Sequence, residues 1–95
     1  METGKFNDQN NLAVITTKKI TSGEDWIGYV THDMDDGSWQ FLELSNKEPN
    51  IEDAVVVSLE NILDLDETIN ELSDLPLGWF ASRLSKTSPW LKGKK

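Results

Sequence analysis

The sequence predicts a single small α+β domain, a mainly antiparallel sheet of about five strands with two short helices on one face. Three observations carry this expectation. The chain has 95 residues, inside the range of about 50–250 for one domain. Short β-branched runs separated by Gly- and Asp-rich turns fill its first half. A helical apolar pattern with a start signal follows only after Ser58. No second apolar block lies beyond a linker, so the domain is assigned to residues 12–85. A flexible N-terminal arm (1–11) and a basic C-terminal tail (86–95) flank it.

Leu12 to Thr17 reads as the first strand and Trp26 to Thr31 as the second, with Ser22 and Gly23 supplying a turn between them. Gly28 inside the second run invites close packing on the backbone. Asp33 to Ser38 has the Asp and Gly content of a hairpin loop, which makes Trp39 to Leu44 the return strand. Ser45 to Asn50 is a loop, and Ala54 to Val57 a strand of residues that suit a pleated surface.

Ser58 is a good N-cap because its hydroxyl can accept a first-turn N–H, and Glu60 complements the helix dipole. On one continuous helix, the apolar positions 59, 62, 63, 65, 69 and 72 would cover well over a third of the circumference, so two short helices broken near Asp64 to Asp66 fit better. Pro76 and Gly78 end the second helix. Trp79 to Leu84 is then a last strand, with Phe80 and Leu84 on one face and Trp79, Ala81 and Arg83 on the other.

Charge is segregated along the chain. Between Glu24 and Asp74 fifteen carboxylates stand against one cation, Lys47, whereas Leu75 to Lys95 carry five cations and no acid. The net charge of −8 disfavours nucleic acid and anionic membranes, which reward clustered Lys and Arg. There is no cysteine, which excludes disulfides and thiolate chemistry. No apolar run is long enough for a signal peptide or a membrane span, so a cytoplasmic location is expected.

Val14 to Lys18, Trp26-Ile-Gly28-Tyr29, Asp36-Gly-Ser-Trp39-Gln-Phe41, Ser58-Leu59 with Ile62 and Asp66, and Pro76-Leu-Gly78 followed by Arg83 stand in an order that carries a likeness. Together they resemble immunity family thirty-three, small bacterial proteins made beside secreted polymorphic toxins. One departure is visible: Leu44-Ser-Asn-Lys-Glu-Pro49 stands where that family continues into a different turn. The resemblance implies a non-enzymatic inhibitor of a cognate toxin; it implies no catalytic residue and no cofactor.

Asp33, Asp35, Asp36 and Gly37 have some of the content of a calcium loop, but the glycine falls fifth and position twelve is Leu44, so a solvated hairpin is the better reading. His32 is a single strand-end histidine without a nucleophile motif, and no metal site is assigned. The candidate partner-binding residues are the hairpin acids Asp33, Asp35 and Asp36, the helix acids Glu67 and Glu71, and the tryptophans Trp39 and Trp90. Trp90 either docks on its own domain or serves a partner or homodimer contact. The acids either keep the chain soluble or steer a basic partner. The expected function is therefore a protein-binding one: neutralisation of a basic toxin domain through an acidic face, the alternative being a small self-associating or enzyme-docking regulatory domain.

Overall fold

The computed structural model describes residues 11–95; the arm expected over 1–11 lies, apart from Asn11, outside the described residues. Six strands form one sheet: β1 (Ala13–Thr17), β2 (Tyr29–His32), β3 (Trp39–Leu42), β4 (Ala54–Ser58), β5 (Trp79–Ser82) and β6 (Leu91–Lys94). Their order is β4-β1-β3-β2-β5-β6. Every neighbouring pair is antiparallel except β1 with β3, which is parallel. The fold is α+β with a mixed, mostly antiparallel sheet and a few short helices.

The hairpin, the return strand and β5 fall where local signals put them. Asp33 N–H donates to the Ser38 carbonyl (2.8 Å) and Gly37 N–H to the Asp33 carbonyl (3.0 Å), and Gly37 has a φ of +73°, the left-handed conformation that a side chain disfavours. The first two strands differ from expectation, for they do not pair. The Thr17 hydroxyl accepts the Ile20 N–H and starts a one-turn helix, α1 (Lys18–Thr21), because a Thr side chain offers the backbone a cap in place of continued strand. β1 instead lies between β3 and β4, with Ile15 opposite Gln40 on one side and Val56 on the other. A second difference is β6, which forms inside the segment read as a tail beyond the domain.

α2 (Leu59–Leu65) is capped by the Ser58 hydroxyl, which accepts the Asn61 N–H at 3.1 Å. It ends at Asp66, whose side chain in turn caps a 3-10 helix, Glu67–Leu72, by accepting the Thr68 N–H at 3.0 Å. One residue thus closes one helix and opens the next. Both lay their apolar sides on the sheet. Leu59, Ile62, Ile69 and Leu72 join Val14, Val30, Trp39, Phe41 and Ala81 in the core, with Ile20, Ile27 and Leu75 closing its margins. The charged residues of the helices, Glu60, Asp64, Glu67 and Glu71, face solvent.

The opposite face of the sheet is less covered. It carries Ile15, Gln40, Thr31 and Phe80 in lateral register. From the Ser45 to Asp53 loop, Lys47 places its ammonium 5.1 Å from the Tyr29 ring centre. Gly28 is packed as tightly as the sequence implied: a Cβ there would come within 2.6 Å of the Trp26 ring and 3.0 Å of the Leu44 Cβ.

Candidate protein-binding face

The acidic residues divide into those that hold the fold and those that face water. Asp33 Oδ1 accepts the Asp35 N–H (2.8 Å) and Asp36 Oδ1 the Ser38 N–H (3.0 Å), so two of the three hairpin acids shape their own loop. These bonds from the Ser38 amide and hydroxyl hold the Asp36 carboxyl below its ordinary pKa, since donors favour the charged acceptor. Asp35 and Asp36 remain exposed. Glu60 and Asp64, one turn apart on α2, and Glu67 and Glu71 on the 3-10 helix form an acidic outer surface over the helical layer.

Among the described residues only Asp66 and Asp74 form ion pairs. Lys92 Nζ meets Asp74 at 2.9 Å, and its hydrogen bond and charge lower the Asp74 pKa. Lys94 stays with β6 at the edge of the sheet, and Lys86, which lies near Glu71, forms no ion pair among the described residues.

Beneath this surface lies a built polar cluster around Arg83, which is 2% exposed. Its Nε donates to the Ile27 carbonyl (2.8 Å), and one terminal nitrogen to the Thr68 hydroxyl (3.2 Å) and the Lys86 carbonyl (2.9 Å). The other terminal nitrogen pairs with the Asp66 carboxylate. Burial alone would raise the Asp66 pKa, but the Thr68 hydrogen bonds and the Arg83 guanidinium outweigh it and hold the carboxyl below its usual value. The guanidinium also lies 4.3 Å from the Trp90 ring and 5.8 Å from the Trp26 ring, in reach of both π faces. Trp90 Nε1 donates to the Thr68 hydroxyl at 3.3 Å.

This arrangement decides the two tryptophans. Trp90 docks on its own domain, half-buried, as a cover over Arg83. Trp39, expected among the partner-binding residues, is 2% exposed and stacks between His32 (4.0 Å) and Phe41 (6.0 Å). It belongs to the core and is corrected out of the surface set, because β3 turns that side chain towards the helices. His32 is held as well, its Nδ1 2.7 Å from the Leu75 carbonyl, which requires that nitrogen to carry the proton and donate.

Of the predicted surface residues, Glu71 and Trp90 are brought together, on a shallow cleft of about 500 Å³ that Arg83 and Lys86 also line. The three hairpin acids form a separate group at the β2–β3 loop. Sequence reasoning did not single out the Asp66 and Arg83 pair as a unit, although both residues stand in the pattern quoted for the immunity family. Their separation of seventeen positions hides the contact. Among the described residues no cluster of three or more His, Asp or Glu could hold a metal ion, and no helix is long and apolar enough to cross a membrane. No family model matches the chain, and no curated protein or solved structure is similar to it, so the likeness to immunity proteins rests on the residues quoted for it.

Proposed function

We propose that this protein is a non-enzymatic binding protein that neutralises a basic partner, in the manner of an immunity protein and its toxin, through the carboxylates exposed on the helical layer and the β2–β3 loop. The observation that carries this reading is the unneutralised surface: among the described residues Glu60, Asp64, Glu67 and Glu71 lack an ion-pair partner, Lys92 and Lys94 are held on β6 at the far edge of the sheet, and Arg83 is spent on Asp66. An exposed field of one sign repels itself and disfavours the compact state, and it accelerates encounter with a partner of the opposite sign. With Trp90 occupied by Arg83, a surface made of charge fits better than one centred on that indole.

The test is co-expression with a basic toxin domain encoded beside this protein's gene, scored by growth and by association rate. The wild-type chain is expected to protect, and its association rate to fall at least about tenfold between low and physiological salt, as steered encounters do. Glu60→Lys, Asp64→Lys, Glu67→Lys and Glu71→Lys combined should abolish that salt dependence and weaken protection. An association rate indifferent to salt, or full protection by the fourfold variant, would remove the acidic face from the function.

A further inference from the structure

We propose that the free edge of β4 is a docking site for one extended strand of a basic protein, apolar at its centre and carrying Lys or Arg at both ends. Among the described residues β4 pairs only with β1. Lys18 N–H donates to the Asp53 carbonyl and Leu59 N–H to the Leu12 carbonyl, and these bonds flank the Thr16/Val55 and Val14/Val57 pairs of the ladder. The odd-numbered residues of β4 therefore direct their backbone groups to β1, and Ala54, Val56 and Ser58 direct theirs outward. The Ala54 N–H is used by the Asn50 carbonyl. Val56 is 70% exposed, at the centre of an aliphatic edge that no other described strand pairs.

Such an edge is a template for another strand unless charge or proline blunts it, and within Ala54–Ser58 there is neither. The edge is also grooved on both sides. On the helical side a cleft of about 300 Å³ runs between Val57, Thr21 and Leu65, with Asn61 and Asp64 also lining it, and on the open side one of about 380 Å³ runs between Ala54, Ile15 and Ile51, with Gln40, Lys47 and Glu48 also lining it. An added strand sends alternate side chains to the two faces of the sheet, so each set would find a recess with aliphatic walls and a polar margin.

Charge selects the occupant. Glu52 and Asp53 precede β4, and Glu60 and Asp64 follow it, all exposed, so cations at both ends of the incoming strand are complementary. A second copy pairing β4 to β4 about Val56 would set Glu52 against Glu60 at both ends, a repulsive match. β6 of another copy is basic but has Gly93 at its middle, where the recesses call for apolar side chains. The proposal rests on the reading of this chain as a binder of a basic protein and adds the strand edge to it, sharing Glu60 and Asp64 with the acidic face but not Glu67 and Glu71.

The probe is a synthetic peptide, Lys-Val-Thr-Val-Thr-Val-Lys, compared with the same peptide ending in Glu, with the amide resonances of the full chain followed by NMR. The Lys-ended peptide is expected to move the Val56 and Ser58 amides and to bind at least about tenfold more tightly than the Glu-ended one, as charge complementarity requires. Val56→Pro removes an outward N–H without touching the ladder to β1, and Val56→Lys leaves the backbone intact while guarding the edge. Both should weaken binding about tenfold or more. Glu67→Lys with Glu71→Lys, which tests the acidic face, should leave peptide affinity unchanged, so the two readings fail separately. Shifts mapping away from β4, equal affinity for both peptides, binding unaffected in both Val56 variants, or a self-assembled oligomer abolished by Val56→Lys would each overturn the proposal.

Discussion

The two edges of the sheet are finished in opposite ways. β6 is Leu91-Lys-Gly-Lys94, basic and broken by a glycine, and the segment before it is fastened by Trp90 on the Arg83 cluster. Phe80 fills the place of the missing side chain at Gly93, where a Cβ would come within 2.8 Å of the ring. β4 is Ala-Val-Val-Val-Ser, without a charge, and is fastened from behind by the ladder to β1 and by the Ser58 cap of α2. Lysine on an edge discourages further pairing, and bare valine invites it. An edge strand can therefore be secured by side chains that also guard it, or by its neighbours alone, which leaves its outer backbone groups available.

The most severe way to break this comparison is to end the chain at Thr87. That removes β6 and Trp90, uncovers Phe80 and strips one face of Arg83. Loss of a packed Trp alone costs about 3–5 kcal/mol, and thermal unfolding should show a fall of tens of degrees or no cooperative transition. Arg83→Met is next. It leaves Asp66 Oδ2 and the Ile27 and Lys86 carbonyls without their Arg83 donor, and breaking a buried pair from one side costs about 3–5 kcal/mol, which denaturant titration would register. On the β4 side, Ser58→Ala removes only a cap and should cost about 1 kcal/mol, while Val56→Lys should leave the unfolding midpoint nearly unchanged.

The Asp66 pair sharpens the comparison through pH. Its carboxyl has a lower pKa folded than unfolded, so its contribution is complete above the unfolded value of about 3.9 and is lost as pH falls through the folded value. Melting temperatures taken across the acid range should therefore fall less steeply for Asp66→Asn than for wild type. Smallest of all, Asp74→Asn breaks the exposed pair with Lys92 and should leave the melting temperature unchanged within error, as should added salt for this contact.

What the sequence made legible was local. The Ser58 cap, the helix break at Asp66, the Asp-rich hairpin loop and the alternation of β5 each depend on a few adjacent residues, and each lies where it was expected. The partners of β1 depend on residues far along the chain, and the Thr17 cap competes with the turn signal at Ser22 and Gly23. β6 has poor strand composition and forms through context, against Phe80 and behind Trp90. Trp39 illustrates the same boundary at the candidate site, because a tryptophan in an amphipathic strand suits a core and an interface equally until the face of the sheet is known. Glu43 shows it again: nothing adjacent in sequence marks it as buried, yet it is 3% exposed and accepts the Thr17 hydroxyl at 2.6 Å.

The position of β1 has a consequence for the order of folding. β2 and β3 are joined by a short loop and can zip together early, whereas β1 meets Gln40 and then Val56 only after long loops have closed. Its next strand in sequence, β2, is not its neighbour in the sheet, so this interior strand finds its place after the β2–β3 hairpin, and contacts of this separation slow a chain. Substitutions at Val14 should then speed unfolding more than they slow folding, and those at Val30 or Phe41 the reverse.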